Sequence, residues 1–469
     1  MSESTVVILG GGPAGVGAAY QLRRLGRANV TLLEQQNVVG GNAGSFEVDG
    51  IHLDYGSHRL HSACDPEILK DIQALLNGDL GFYPRHGRIR LRGKFLHFPL
   101  KPVDLLLRLD RGFAMGVGMD MVRRALPGAN GAGNTFASVV KANLGPTIAE
   151  HFYFPYARKI WGRDPEVLSG TSAQKRVSAG TFKKIMRRLV KPPGKGGYYY
   201  PKRGYGQISD AFAKAATQLG ANLMLGWRVA GVEQVSNGKV QWKVTAERNG
   251  ETREIVTDHV WSTLPTALLA RMMKQPAVPS DVLQAASKME YRAMILVYLQ
   301  VPVQQWTTTD AHYFPEENVV FTRVSEPKNY ARSQEPQGRT ILCAELPCQV
   351  GDELWNMSDE ALGQRVADDL AKVDLALPKP HTATFARRLS HAYPIYTQGY
   401  EEPFQQLDNW ASSMENLLVY GRQGLFAHDN THHALYMAYA ATDCLENGVF
   451  NHAKWNDYRK IFSTHVVED

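Results

Sequence analysis

The sequence predicts an α/β protein in which a Rossmann-like nucleotide-binding domain carries a helical insertion and a mixed-sheet domain. The strongest indication is an apolar run over residues 6–9 that leads directly into a glycine-rich turn, the strand-turn-helix pattern of nucleotide-binding folds. Residues 101–196 have a mostly helical pattern, whereas residues 276–394 alternate short strands with helices. The chain of 469 residues is also longer than one hydrophobic core usually organises, which favours two or three domains.

The composition is that of an ordinary folded protein, with 44% apolar and 21% charged residues. No stretch approaches the roughly 18 consecutive apolar residues of a membrane-spanning helix. Residues 1–5 lead into a strand without the basic and apolar regions of a signal peptide, so we expect a cytoplasmic protein with reduced cysteines. The net charge of +6 is too small to indicate nucleic-acid binding, and it suits an anionic small molecule equally well.

The glycine-rich turn has the spacing of a dinucleotide-binding loop. Gly10 permits a tight turn, Gly12 lets a diphosphate approach the backbone, and Gly15 lets the following helix pack closely on the strand. A second strand over residues 29–33 ends in Glu34, whose carboxylate can accept both ribose hydroxyls and would repel a 2′-phosphate. The pattern predicts an adenosine-diphosphate cofactor without a 2′-phosphate, and both NAD and FAD satisfy it.

The segment after Glu34 favours FAD. A Gly-Gly-Asn-Ala loop at residues 40–43 precedes an alternating strand over residues 46–53, which runs into Tyr-Gly-Ser-His at residues 55–58. A nicotinamide dehydrogenase has no use for this second loop. The order of motifs resembles the FAD-binding superfamily of amine oxidases, protoporphyrinogen oxidases and UDP-galactopyranose mutases, in which the segment passes under the flavin ring. This resemblance implies that three residues of the segment lie at the flavin: Gly41, Asn42 and His58.

Later segments extend the resemblance over nearly the whole chain. The backbone at Val229 is similar to the superfamily's adenine-side contact, and a buried strand at residues 417–422 ends in Gly421 and Arg422, which the resemblance places at the cofactor. The helix from Thr431 to Glu446 would direct its N-terminus at the flavin pyrimidine, where a positive dipole end stabilises negative charge. The resemblance implies a discontinuous FAD-binding domain (1–100, 197–275 and 395–469), a helical substrate or lid insertion (101–196) and a mixed-sheet domain that covers the substrate (276–394).

Within the superfamily, several motifs are most similar to the mutases. They include the Gly-Gly-Asn-Ala loop, Tyr-Gly-Ser-His, and a Tyr-x-x-Lys-x-Trp-Gly-Arg segment at residues 156–163. The resemblance assigns Tyr156 and Trp161 to the uridine, assigns Tyr198, Arg323 and Tyr393 to the substrate diphosphate, and places His58 and Arg323 at the reaction centre. It implies a redox-neutral ring contraction of a nucleotide-activated sugar at N5 of the reduced flavin, with an external donor such as NAD(P)H.

Other interpretations of these residues stay open. The two aromatics Tyr156 and Trp161 lie five residues apart and are equally typical of core packing, Arg323 can be a surface cation, and His58 can be a packed histidine. Net oxidation of an organic substrate, as in protoporphyrinogen or amine oxidases, is the alternative function. The segment after Arg422 departs from the mutase pattern, which leaves the sugar open. His428 and His432 have helical metal-ligand spacing but lack an adjacent third ligand in the sequence, so we predict no metal.

A basic segment at residues 183–191 replaces the family's substrate lid. Three roles fit it: a lid that grips an anion, a solvated structural helix, or a helix that lies on a membrane surface and gives the protein a peripheral membrane contact. The sequence does not predict an oligomeric state.

Overall fold

The computed structural model describes residues 3–98, 108, 110–125, 133–176, 196–236 and 238–467. Its centre is a parallel sheet built from three separated parts of the chain, which confirms the predicted α/β class. Val6 pairs in register with Val30 on one side and with His259 on the other, so the first strand lies in the middle. The strands run in the order Asn222–Leu225, Asn29–Glu34, Thr5–Leu9, His259–Ser262 and Leu417–Val419.

Both faces of this sheet are covered, as its continuous apolar strands require. Val6 and Ile8 face a layer of helices, whereas Val7 and Leu9 face the opposite core. The helical layer contains Pro13–Arg24, Pro66–Leu76, Gln207–Gln218, Thr431–Asp443 and His452–Ser463. The opposite core includes a mixed four-stranded layer and three helices, namely Arg228–Ser236, Val240–Arg248, Glu251–Thr257, Met273–Gln275, Thr266–Met272, Ser280–Lys288 and Glu401–Ser412.

The predicted single strand over residues 46–53 is wrong. The structure has a hairpin of Ser45–Val48 and Ile51–Asp54. Asp49 and Gly50 form its turn, with φ angles of 50° and 77°. An Asp-Gly pair in the left-handed region is the sequence that a tight hairpin turn favours, because its twist matches that of the flanking strands.

A second, seven-stranded sheet lies over the carboxyl edge of the first. Its strands run in the order Ala383–Pro394, Tyr291–Val301, Thr340–Cys348, Arg323–Ser325, Ala311–Tyr313, Gly87–Leu91 and Lys94–Phe98. The helix Asp359–Lys372 packs against it. The hairpin over residues 87–98 therefore belongs to this sheet, although the predicted boundaries grouped it with the FAD-binding segments. The domain boundaries themselves stay a prediction.

Segments of the chain outside the two large sheets form further helices and a small sheet. A three-stranded sheet joins Leu60–His61, Gly197–Pro201 and Leu80–Pro84. The described part of the insertion contains the helices Arg111–Ala125, Phe136–Leu144, Phe154–Trp161 and Gly170–Arg176. A second short hairpin pairs Leu445–Glu446 with Val449–Phe450. In the described part of the chain, none of the helices has the length and apolar character needed to span a bilayer. The predicted basic segment at 183–191 lies outside the described residues.

Candidate functional site

The glycine-rich turn has the close contacts that its spacing predicts. A Cβ atom on Gly15 would lie 1.9 Å from the carbonyl oxygen of Gly10, so the helix can approach the strand only without a side chain there. Gly10 itself has a φ of 102°. Gly12 differs, since a Cβ placed on it has no heavy atom within 4 Å and would point into open space. Gly15 therefore serves packing, and Gly12 leaves room for a ligand.

Glu34 holds the turn and faces the same open space. One carboxylate oxygen accepts the Gly11 N–H at 2.7 Å and the other accepts the Gln36 N–H at 2.9 Å. Burial raises the pKa of Glu34, and these backbone donors oppose the rise. The carboxylate thus lies at the end of the second strand, as predicted for a ribose-binding acid.

A cavity of about 570 Å³ begins at this turn and runs to the seven-stranded sheet. Its lining includes most of the residues that the sequence analysis proposed, although they come from five distant parts of the chain. Predicted residues at the cavity are Gly10, Gly12, Glu34, Gly41, Asn42, His58, Tyr156, Arg323, Tyr393 and Arg422. The structure thus joins a glycine-lined half, near residues 10–42, to a half lined by arginines and tyrosines.

Five predicted residues lie beside the cavity and do not line it. Gly15 and Gly421 act through close packing, and a Cβ on Gly421 would lie 2.9 Å from that of Ala14. Trp161 is buried in the insertion, edge-to-face with Phe136 at 5.4 Å. Tyr198 and Val229 are also buried in hydrophobic cores. The side chains of these two and of Trp161 pack in the layers that support the cavity, and their predicted ligand contacts stay predictions.

Asp54 anchors the loop that carries His58. Its carboxylate accepts the Ser45 hydroxyl at 2.6 Å, the Tyr205 N–H at 2.7 Å and the Tyr200 hydroxyl. Burial raises the pKa of Asp54 to about 6, although these hydrogen bonds favour the ionised form. No local pattern in the sequence identifies Asp54, because its contacts with Tyr200 and Tyr205 join distant parts of the chain. Only its contact with Ser45, across the hairpin, is local.

The surroundings of His58 favour a neutral imidazole. Burial, together with the guanidinium groups of Arg323 and Arg422, lowers the pKa of His58 to about 3. Its ring stacks on Tyr205 with centroids 5.5 Å apart. The Nδ1 atom is buried and has no hydrogen-bond partner among the described residues. His58 can therefore offer a hydrogen bond to a ligand, and its surroundings favour the neutral imidazole near pH 7.

Arg323 lines the cavity, so the alternative interpretation of a surface cation is wrong for it. Its Nε and one terminal nitrogen donate to the two Glu345 carboxylate oxygens at 2.9 and 2.8 Å. Glu345 also accepts the Ser57 N–H at 2.7 Å. This buried carboxylate ties Arg323 to the loop of His58. Glu345 was not among the predicted site residues, although a single acid in the apolar strand Thr340–Cys348 is a usable signal of a functional carboxylate.

Arg422 and Asn42 donate hydrogen bonds to the end of strand Ala383–Pro394, which lies at the cavity. Arg422 donates to the Ala392 carbonyl at 2.9 Å, and its guanidinium lies 5.3 Å from the ring centroid of Tyr393. The Asn42 amide donates to the His391 carbonyl at 3.1 Å. Strand Ala383–Pro394 of the seven-stranded sheet therefore closes the cavity over the Gly-Gly-Asn-Ala loop.

The histidines after Arg422 form a different set from the predicted pair. His428 lies against Trp161, Tyr393 and Tyr396, away from His432. Ligand atoms of Asp429, His433 and His465 lie within 4.8 Å of one another. However, the His433 and His465 rings stack with an angle of 13°, and the Asn430 N–H donates to Nδ1 of His433. The lone pairs of stacked rings do not converge on one ion, so this arrangement does not favour a metal site. The absence of a metal stays a prediction.

The comparisons with known proteins agree on the fold. A family model for flavin-containing amine oxidoreductases matches residues 13–449. Protoporphyrinogen oxidase of Bos taurus is 22% identical over 495 aligned residues, covering 95% of this chain and 96% of the relative. A reduced UDP-galactopyranose mutase has a TM-score of 0.79 at 22% identity, over 94% of both chains. Cyclohexylamine oxidase from Brevibacterium oxydans has a TM-score of 0.66 at 14% identity, over 98% of this chain and 100% of that one.

Proposed function

This chain belongs to the family of flavin-containing amine oxidoreductases, and we propose that it is an FAD-dependent enzyme that rearranges a nucleotide-activated sugar without net oxidation. The observation that carries this proposal is the charge of the cavity. Among the described residues, six arginines and three carboxylate residues line it. The arginines are Arg59, Arg85, Arg323, Arg387, Arg388 and Arg422.

The glycine-lined half fits the FAD that the family implies. Gly12 leaves space for a diphosphate at the N-terminus of helix Pro13–Arg24, where free N–H groups and the helix dipole favour an anion. Glu34 would accept the ribose hydroxyls, and the orphaned Nδ1 of His58 suits a polar edge of the ring system. Flavin supplies a ring nitrogen that can act as a nucleophile when reduced or accept electrons when oxidised.

The arginine-lined half favours an anionic substrate over an amine. A protonated amine would be repelled by Arg323 and Arg422, whereas a diphosphate can accept planar, forked hydrogen bonds from them. Glu345 fixes the orientation of the Arg323 fork before the ligand arrives, which lowers the entropy lost on binding. Tyr156 lines the cavity and would give a uracil ring an aromatic face.

The second candidate is net oxidation of an acidic organic substrate. It is favoured by the family itself and by the match to bovine protoporphyrinogen oxidase over 95% of this chain. In net oxidation the same arginines would bind the acidic groups of the substrate. Unlike the rearrangement, this reaction would transfer electrons from the substrate to an external oxidant. Neutral His58 suits both candidates, because neither requires it to be charged.

The test separates the two by their demand for an oxidant. Protein reconstituted with FAD is reduced with dithionite and incubated without oxygen with UDP-galactofuranose and a panel of nucleotide-sugars, beside an oxidised sample. Isomerisation in the reduced sample alone supports the proposal, and an NAD(P)H-reduced sample then tests the external donor. Conversion that consumes oxygen or quinone in proportion to product supports net oxidation. No conversion of any nucleotide-sugar by flavin-loaded protein contradicts the proposal.

A further inference from the structure

Arg59 is a cation at the cavity that the sequence analysis did not identify. It follows His58 directly and lines the substrate half. Its guanidinium lies beside two aromatic rings, 5.4 Å from the centroid of Tyr198 and 5.6 Å from that of Tyr330. One terminal nitrogen donates to the Tyr313 hydroxyl at 2.5 Å. These three tyrosines hold the guanidinium in one place by cation–π contacts and a hydrogen bond.

No carboxylate among the described residues lies within 4 Å of the Arg59 guanidinium, which distinguishes it from Arg323 beside Glu345. Burial raises the pKa of Asp310, and Arg59 lies close enough to Asp310 to oppose part of that rise. Its carboxylate instead accepts the His86 N–H at 2.8 Å. A partly buried guanidinium without an anion is costly, so it needs a counter-charge from a ligand.

The geometry around Tyr313 shows where such a ligand would bind. Arg59 donates to the Tyr313 hydroxyl, and the guanidinium of Arg323 lies 5.6 Å from the centroid of the same ring. Two cations thus flank one tyrosine at the cavity wall. Only one of the five Arg59 N–H donors is engaged by a hydrogen bond within the described residues, which leaves others for an anion.

We propose that Arg59 binds an anionic group of the substrate, a carboxylate or a phosphate, and so determines which substrates the cavity accepts. The inference rests on the proposed function only in taking the substrate to occupy this cavity. It goes further by requiring an acid at the Arg59 position, separate from the group paired with Arg323. Tyr313 is a positioning residue in this arrangement, because it acts through Arg59.

The test measures ligand affinity by the change in flavin absorbance of FAD-loaded protein. Arg59→Gln is compared with wild type, with Arg59→Lys and with Arg228→Gln, which removes an exposed arginine outside the cavity. The probes are UDP-glucose, UDP-glucuronate, UDP, inorganic phosphate and malonate. A carboxylate at Arg59 predicts that Arg59→Gln weakens UDP-glucuronate about tenfold or more, with UDP-glucose nearly unchanged. A phosphate there predicts an equal loss for all three UDP ligands and for inorganic phosphate.

Affinities within twofold of wild type for every probe that binds would overturn the proposal, provided that Arg59→Gln retains FAD. A changed flavin potential with unchanged affinities would also overturn it. If Arg59→Gln loses FAD, Tyr313→Phe removes the orienting hydroxyl and must weaken the same probes severalfold. Phosphate and malonate keep the test independent of the proposed function, since their binding does not require that a nucleotide-sugar is the substrate.

Discussion

The two halves of the cavity differ in how the chain builds them. The glycine-lined half is made largely of backbone from one continuous stretch, residues 10–42, with Gly421 packed against it. The other half is made of side chains from parts of the chain that lie far apart in the sequence, such as Arg59, Arg323 and Arg422. Backbone geometry follows from local glycine spacing, whereas convergent side chains depend on sheet register. The halves should therefore respond differently to substitution.

The largest expected effect is at Gly15 in the backbone-built half. Gly15→Ala places a Cβ 1.9 Å from the Gly10 carbonyl oxygen, so the helix must move away from the strand. We expect a loss of about 3 kcal/mol or more in the free energy of unfolding, with loss of FAD. Chemical denaturation measures the first and flavin absorbance the second.

Gly12→Ala is the matched control for that prediction. Its Cβ meets no atom of the chain, so the apoprotein should keep its stability within about 1 kcal/mol while FAD binding falls. Equal destabilisation by both substitutions would show that Gly12 is also a packing residue.

In the side-chain-built half, Arg323→Ala should weaken UDP binding about a hundredfold and leave the FAD content unchanged. Part of this loss reflects the buried Glu345 carboxylate left without its cation. Titration of the flavin absorbance with UDP measures the affinity. Arg323→Ala combined with Glu345→Gln removes that unpaired charge, and unchanged UDP affinity in the single variant would contradict the site assignment.

Glu34→Gln should have a smaller effect, confined to the cofactor. The amide keeps one acceptor for the Gly11 or Gln36 N–H but loses the charge, so FAD should bind about tenfold more weakly. Equilibrium dialysis against FAD measures this, with Gln36→Ala as a neighbouring control. Full FAD occupancy at limiting cofactor would show that Glu34 is not the ribose acid.

The smallest expected effect concerns His58 and pH. Because the pKa of His58 is lowered to about 3, the ring stays neutral from pH 8 down to pH 5, where an ordinary histidine near 6.5 would gain a proton. The affinity for UDP-glucose, whose diphosphate has no ionisation in this range, should therefore show no step near pH 6.5 in wild type, and His58→Gln should leave the shape of the pH profile unchanged. A step near pH 6.5 that this substitution removes would contradict the neutral assignment.

Local patterns in the sequence predicted the cofactor half well. The glycine spacing, the position of Glu34 and the later return of strands to the parallel sheet all appear in the structure. The prediction of a single strand was wrong at Asp49 and Gly50, because the alternation of apolar residues continues on both sides of the hairpin turn that they form. The sequence motifs also assigned Trp161 and Tyr198 to a ligand; both are buried beside the cavity, and that assignment stays a prediction. Aromatic residues in a motif do not reveal which side of a helix or strand faces a cavity.

By itself, the sequence determined the nucleotide-binding turn and the α/β class, because both follow from short-range spacing of glycine and apolar residues. Only the tertiary structure decided the charge of the arginine-lined half. Arg59 and Arg323 lie more than 250 positions apart in the chain, yet they flank the same tyrosine, and one has a carboxylate partner while the other has none among the described residues. That difference depends on which strands pair and in which register, and no local pattern encodes it.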